Sequence, residues 1–131
     1  MRRPTSKEEA FAWWRAALRG AAVITSDDPQ CGFFKRRLVK GGPFVPARIW
    51  LDQDVDPATG ELLDDERLQC EVNGGYADPF DAWQWLCGSP ITEQEFKYME
   101  AMREHAARHE PDHPMADPRK PIDNLRTPIL F

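Results

Sequence analysis

The sequence predicts an α+β fold: a small, mostly antiparallel sheet of three or four strands packed by an N-terminal helix and two C-terminal helices. Apolar residues recur at helical spacing near both ends of the chain and alternate along its middle. Two Gly-containing turn sequences separate the alternating runs. The length of 131 residues is that of one domain, and a sheet backed by helices is a standard way to bury such faces.

The first predicted helix begins after Ser6, which forms a Ser-x-x-Glu capping box with Glu9. Gly20 is a natural C-terminal stop for this helix. Trp13 falls off the apolar face, so we interpret it as flanking packing or as an exposed anchor. The apolar face itself consists of three residues at helical spacing, namely Phe11, Trp14 and Leu18.

Two strands are predicted on either side of Gly41-Gly42-Pro43. The first runs over Phe33–Lys40. The second alternates cleanly, with one face formed by Val45, Ala47, Ile49 and Leu51 and the other by Phe44, Pro46, Arg48 and Trp50. Because proline cannot donate a ladder hydrogen bond, Pro46 places this second strand at a sheet edge or a bulge.

A third strand is predicted over Arg67–Asn73, and the hairpin signal Asn73-Gly74 predicts a short fourth strand around Tyr76. Asp78 then caps a short helix that has Pro79 at its first position. The side of this helix that faces the core is predicted to contain Phe80, Trp83 and Cys87.

A second capping box, Thr92 with Glu95, begins the last helix, whose buried stripe is predicted as Phe96, Met99, Met102 and Ala106. We place one domain at residues 1–109 and a Pro-rich tail at 110–131, since the prolines exclude regular helix there. The apolar tail residues either close over the domain or bind a groove of a protein partner; they are Ile122, Leu125, Ile129, Leu130 and Phe131.

Charge is distributed unevenly along the chain, whose net charge is −5. Residues 1–50 contain ten basic and four acidic side chains, whereas residues 51–131 contain seven basic and eighteen acidic ones. The basic half favours an anionic partner, or attraction between the two halves. No run approaches a membrane span and no signal-like segment is visible, so we expect a cytoplasmic protein with no membrane association.

The segment Gly32–Trp50 is the candidate binding surface, because it contains five basic residues and no acidic one. Cations among aromatic side chains are typical of surfaces that hold phosphates and stack bases. The predicted ligand-binding residues are Lys35, Arg36, Arg37, Lys40, Phe44, Arg48 and Trp50. Two other interpretations remain: the cations pair with the chain's own acids, such as Asp52 or Asp54, or they bind an acidic protein.

Metal and catalytic motifs are weak. Asp52-x-Asp54-x-Asp56 resembles the start of a calcium loop but lacks the required Gly and Glu. His105, His109 and His113 recur every four residues, yet Pro111 interrupts the helix before the third. We therefore predict no metal, no cofactor and no enzymatic activity.

Cysteine chemistry offers one alternative. Cys31, Cys70 and Cys87 have no CxxC spacing, which indicates buried thiols rather than a disulfide framework. A Cys31 thiolate near Lys35 and Arg36 would have a lowered pKa and would be the main candidate nucleophile of an enzyme.

The run from Phe34 to Trp50, FKRRLVKGGPFVPARIW, resembles a segment of small proteins encoded by phages and prophages of proteobacteria. Asp56–Leu62, Cys70–Gly74 and Asp78–Gly88 extend this resemblance over roughly residues 32–131. The family has no known activity, so the resemblance implies no catalytic residue. It implies an accessory protein that acts by binding to nucleic acid, to a virion component or to a host defence protein. With the basic hairpin, we expect an anion or nucleic-acid surface; the alternative is a protein-interaction module without nucleic-acid binding, such as an inhibitor of host defence, a virion contact or a homo-oligomer.

Overall fold

The computed structural model describes residues 2–20, 28–109 and 118–119. Within them, four antiparallel strands form one sheet in the order β1-β2-β3-β4, with helices before and after it. The predicted α+β fold is confirmed. The elements are α1 (Lys7–Ala10), α2 (Ala12–Leu18), β1 (Gly32–Arg37), β2 (Phe44–Asp52), β3 (Arg67–Val72), β4 (Gly75–Ala77), α3 (Pro79–Leu86) and α4 (Glu93–His109).

The predicted N-terminal helix is two short helices, because the chain leaves helical geometry at Phe11 (φ −98°, ψ 11°). The Ser6 cap is confirmed, since its hydroxyl accepts a hydrogen bond from the Glu9 N–H at 3.2 Å. Trp14 is buried, and its indole N–H donates to the carbonyl oxygens of Phe33 and Ile91. Trp13 is flanking packing: its ring lies 5.1 Å from that of Trp83.

The sheet has two covered faces. On the front face, α3 packs Trp83 and Leu86 against Phe34 and the inward residues of β2 and β3; this core includes Ala47, Ile49 and Cys70. On the back face, α4 packs Phe96 against Phe33, with ring centroids 4.9 Å apart. The predicted inward set of β2 is confirmed for Val45, Ala47 and Ile49, which are fully buried.

β2 is a central strand, so the prediction that Pro46 places it at an edge is wrong. Pro46 stands opposite Asn73, one residue beyond the end of β3, and its carbonyl accepts the Asn73 N–H at 2.8 Å. In a regular pair, the residue at position 46 would return a hydrogen bond to the Asn73 carbonyl. Instead, Arg103 of α4 donates to that carbonyl from Nη1 at 3.2 Å.

The β3–β4 turn is confirmed at Asn73-Gly74, where both residues have positive φ (53° and 80°). The positive φ of residue 74 favours glycine, and a Cβ there would lie 2.7 Å from Nη1 of Arg103, so the guanidinium would have to shift. The cap of α3 is confirmed too, since Asp78 Oδ1 accepts from the Phe80 N–H at 2.8 Å. The prediction that Phe80 lies on the core side of α3 is wrong, because this residue is 66% exposed.

The predicted last helix is confirmed as α4, with the Thr92 hydroxyl accepting the Glu95 N–H at 3.1 Å. Of its predicted stripe, Phe96 and Ala106 are buried, and Met99 and Met102 are half-buried.

The N-terminal segment is fastened to the loop before β3. The N–H and the hydroxyl of Thr5 donate to the two carboxylate oxygens of Glu66, at 2.6 and 2.7 Å. The Thr5 carbonyl in turn accepts from Gln53 Nε2 at 2.8 Å. The hydrogen bonds from Thr5 hold the pKa of Glu66 below its ordinary value.

Helices in the described part of the chain are all too short or too polar to cross a membrane. The predicted tail lies outside the described residues except for Pro118 and Arg119, as do His113 and the five apolar tail residues named above. Pro118 is buried, and its carbonyl oxygen lies 3.0 Å from a Cβ built at Gly42 in the β1–β2 turn.

Candidate functional site

The pleat of β1 separates the predicted cations onto two faces of the sheet. Arg36 stands opposite Val45 and therefore projects from the front face. Lys35 and Arg37 stand opposite Pro46 and Phe44 and project from the back face. The seven predicted residues thus do not converge on one surface.

Phe44 holds two of the back-face cations. The Lys35 ammonium lies 4.7 Å from the centre of the Phe44 ring, and the Arg37 guanidinium carbon lies 4.5 Å from it. Both distances allow a cation–π attraction. Lys35 also faces Glu95 of α4, with 4.0 Å between Nζ and Oε1.

Arg48 and Trp50 lie further along the back face and are engaged with each other. The Arg48 guanidinium carbon is 4.3 Å from the centre of the Trp50 ring, and its Nε donates to Glu71 Oε2 at 3.1 Å. Arg48 stands directly opposite Glu71 in the β2–β3 pair. The charge of Arg48 is therefore compensated. This agrees, for Arg48, with the interpretation that the basic residues of Gly32–Trp50 pair with the chain's own acids.

Arg36 has a different environment. Its guanidinium carbon lies 5.2 Å from the centre of the Trp85 ring, and its Nε donates to the Arg37 carbonyl at 3.3 Å. Desolvation lowers the pKa of this half-buried guanidinium. Within residues 2–20, 28–109 and 118–119, neither Arg36 nor Arg37 nor Lys40 forms an ion pair.

These three cations line a groove of about 530 Å³ at the tip of the β1–β2 hairpin. We call it the hairpin groove; its polar and aromatic lining residues are Arg36, Arg37, Lys40, Phe44, Trp85 and Ser89. None of its described lining residues is acidic. In a chain of net charge −5, this lining is a local positive site.

The groove lies beside the outer edge of β1, beyond the part of that edge that is hydrogen-bonded to the segment after α3. Ser89 and Ile91 bond to that edge: the Lys35 N–H donates to the Ser89 carbonyl at 3.1 Å, and the Ile91 N–H donates to the Phe33 carbonyl at 2.9 Å. Since alternate residues of a strand present their backbone groups to the same side, the N–H of Arg37 also points outward, beside the groove.

A second cavity, of about 520 Å³, lies on the other side of Arg36 beside the β3–β4 turn. We call it the turn cavity; its lining includes Arg36, Val72, Asn73, Tyr76, Ala77 and Arg119. Its described lining residues also include no carboxylate. Arg36 is thus the cation common to both cavities.

Sequence reasoning missed Trp85, Ser89 and Arg119. Trp85 lies two residues from Trp83, off the buried side of α3, and is 56% exposed. The signal in the sequence is its spacing from Trp83, since a tryptophan on the outer side of an amphipathic helix indicates a role other than core packing. Arg119 carries no local signal, because only the path of the chain brings it to the β1–β2 hairpin.

The environment of Cys31 contradicts the predicted lowering of its pKa. Its residue is 3% exposed, and burial, reinforced by the charge of Glu66, raises the pKa of the thiol to about 11. Burial likewise raises the pKa of Cys70 to about 11. A thiol with so high a pKa is almost wholly protonated at neutral pH and is a poor nucleophile.

The His105 and His109 rings lie 5.0 Å apart on α4. Across the described ranges, no three His, Cys, Asp or Glu side chains are grouped to hold a metal ion. Asp56 has a loop role: its Oδ1 accepts the Ala58 N–H at 2.8 Å.

Comparison of the chain with protein-family models, with curated proteins and with solved structures finds no match. The case for a function therefore depends on the geometry of the hairpin groove.

Proposed function

We propose that this protein binds single-stranded nucleic acid through the hairpin groove. The observation that supports the proposal is the group of Arg36, Arg37 and Lys40, three cations without a carboxylate partner among the described residues, around one concave site. Unpaired cations in such a groove attract phosphates, and each phosphate bound releases counterions from the strand.

A single strand fits the groove better than a duplex. The exposed ring of Trp85 offers a face on which an unpaired base stacks, whereas duplex bases are already stacked on each other. A duplex also needs an extended basic surface, and residues 51–131 of this chain carry eighteen acidic side chains. The resemblance to phage and prophage proteins is consistent with an accessory role on nucleic acid. This accessory role and a cytoplasmic location are parts of the proposal.

Fluorescence anisotropy of a labelled oligothymidylate, titrated at several salt concentrations, tests the proposal. We expect binding whose logarithm falls linearly with the logarithm of salt, with a slope of about −0.7 for each phosphate contacted. The variants Arg37→Ala and Lys40→Ala each remove one cation of the groove. Each is expected to weaken binding and to make the salt slope shallower by about 0.7.

Arg48→Gln is the matched control, because Arg48 lies on the same hairpin but is paired with Glu71. It is expected to leave both the affinity and the salt slope of the wild type unchanged. Absence of binding at low salt, or equal losses in Arg37→Ala and Arg48→Gln, would contradict the proposal. Labelled duplex DNA and RNA in the same titration measure the preference for single strands.

The second candidate function is binding of a protein partner, and the exposed face of α3 favours it. Phe80 and Trp85 both present large apolar surfaces to solvent there, and exposed aromatic residues are enriched where proteins meet. The two functions differ in their response to salt and to Phe80→Ala. Nucleic-acid binding weakens as the salt concentration rises and is unaffected by Phe80→Ala. Association of a protein partner through this face is insensitive to salt and is weakened by Phe80→Ala.

A further inference from the structure

The outer edge of β1 gives the hairpin groove a hydrogen-bond donor that belongs to the backbone. Along this edge, the Lys35 N–H donates to the Ser89 carbonyl at 3.1 Å. Two residues further on, the N–H of Arg37 points to the same side of the strand. None of the residues that the structure describes accepts a hydrogen bond from it. Since Arg37 lines the groove, this N–H is a fixed donor available to a ligand.

The cations on the two faces of the sheet come together at this edge. Arg36 projects from the front face and Arg37 from the back face, so the strand itself separates them. Both nevertheless line the same groove, together with Lys40. A ligand that contacts the cations of both faces therefore has to cross the edge of β1, where the Arg37 N–H points outward.

The edge at residue 37 offers a donor without a free acceptor. The Arg37 carbonyl already accepts a hydrogen bond from Nε of Arg36 at 3.3 Å. A peptide strand that paired with residue 37 would need both backbone groups of that residue, whereas a phosphate oxygen needs only donors. The edge therefore fits a phosphate better than an added peptide strand. The bond to the carbonyl uses Nε alone, so the Nη groups of Arg36 can still donate to that phosphate.

We propose that the outer edge of β1 anchors one phosphate of the bound strand, with the Arg37 N–H as its backbone donor. The inference deepens the proposed function and depends on it. The side chains of Arg36, Arg37 and Lys40 supply the positive charge around this phosphate. The N–H is held in place by the sheet and loses no side-chain freedom when it binds. Backbone contacts of this kind fix the position of a nucleic-acid strand, whereas the charges attract it.

A pair of variants at residue 37 tests the inference. Arg37→Ala and Arg37→Pro both remove the side-chain charge, but only Arg37→Pro also removes the N–H. Proline is tolerated in a strand where the N–H points away from the sheet, and Arg36 already has the extended backbone that a following proline requires. We expect Arg37→Pro to bind labelled oligothymidylate about tenfold more weakly than Arg37→Ala, the loss from one hydrogen bond to a charged group. The salt slopes of the two variants are expected to be equal, because their charges are equal.

A measurement on the wild type complements the variants. In two-dimensional NMR spectra of nitrogen-15-labelled protein, titrated with unlabelled oligothymidylate, the amide proton of Arg37 is expected to move downfield as the phosphate accepts from it. The Lys35 amide is the internal control, because it already donates to Ser89 and is expected to move much less.

The outcomes separate this inference from the proposed function. If wild-type protein binds oligothymidylate but Arg37→Pro binds as tightly as Arg37→Ala, the edge anchor is wrong and the proposed function stands. If wild-type protein binds no oligothymidylate at low salt, both are wrong. Circular-dichroism melting curves show whether each variant is folded. If Arg37→Pro is not, the amide shift of Arg37 in the wild type decides, and its absence on binding overturns the inference.

Discussion

Arg36 combines the proposed binding role with an energetic cost. A half-buried guanidinium without a carboxylate partner loses part of its hydration, as its lowered pKa indicates. Its contact with Trp85 offsets this cost by roughly 0.5–1 kcal/mol. An apolar side chain at this position would pack against Trp85 without this desolvation cost.

The variant Arg36→Met tests this balance. Methionine keeps the length and the contact with Trp85 and removes the charge, so the free energy of unfolding is expected to change by less than about 1 kcal/mol. Binding of oligothymidylate is expected to be lost, since Arg36 lines the hairpin groove. Urea denaturation and anisotropy measure the two quantities. A large loss of stability would show that Arg36 is a structural residue rather than a binding one.

At the scale of the elements, α2 packs so closely on β1 that Gly32 has no room for a larger residue. A Cβ built at Gly32 would lie 2.7 Å from Cδ1 of Trp14 and 2.9 Å from Cζ of Phe34. Both neighbours are buried aromatic side chains of the core, so they have little room to move.

Gly32→Ala is therefore expected to lower the free energy of unfolding by about 1–3 kcal/mol, which is typical of an overpacked core. Gly88→Ala is the matched control. Gly88 follows α3, is exposed and has no atom within 4 Å of a built Cβ, so its substitution should change stability by less than about 0.5 kcal/mol. Equal stability of the two variants in denaturant titration would contradict the close packing of α2 on β1.

Local chemistry accounts for the elements that the sequence predicted well. A turn and three helix caps depend only on residues within a few positions of each other, so they can be predicted from a short stretch of sequence. They are the turn at Asn73-Gly74 and the caps at Ser6, Asp78 and Thr92. The placement of Arg36 and Arg37 on opposite faces of the sheet depends on the pairing register of β1 with β2. The position of Arg119 beside the β1–β2 hairpin depends on the path of the chain. Neither register nor path is encoded in a short window.

At the scale of the whole molecule, the N-terminal segment is joined to the body of the fold through Glu66. The hydrogen bonds from Thr5 stabilise the carboxylate form, which is why the pKa of Glu66 lies below 4.5 in the folded protein. A lowered pKa means that this contribution to stability is present above pH 4.5 and is lost as the pH falls through the folded-state pKa.

We therefore expect Glu66→Gln to lower Tm near neutral pH and to have less effect as the pH falls. The amide still accepts hydrogen bonds but has no charge, so wild type and variant become alike once Glu66 is protonated, as the pH falls through its folded-state pKa. Thermal melts across this range measure the difference in Tm. A difference in Tm that is the same at all pH values would contradict the assignment. Glu104→Gln, on the exposed side of α4, is the control.

Pro46 has a consequence for the alignment of the strands. Because it cannot donate, it is tolerated only opposite a carbonyl that another group satisfies, and Arg103 satisfies the Asn73 carbonyl. Sliding β3 by two residues would place Glu71 opposite Pro46 and leave a carbonyl inside the ladder without a donor, at a cost of about 1–3 kcal/mol. Pro46 therefore disfavours this shift, and the observed register is the one that joins Arg48 to Glu71 while leaving the cations at the hairpin tip available.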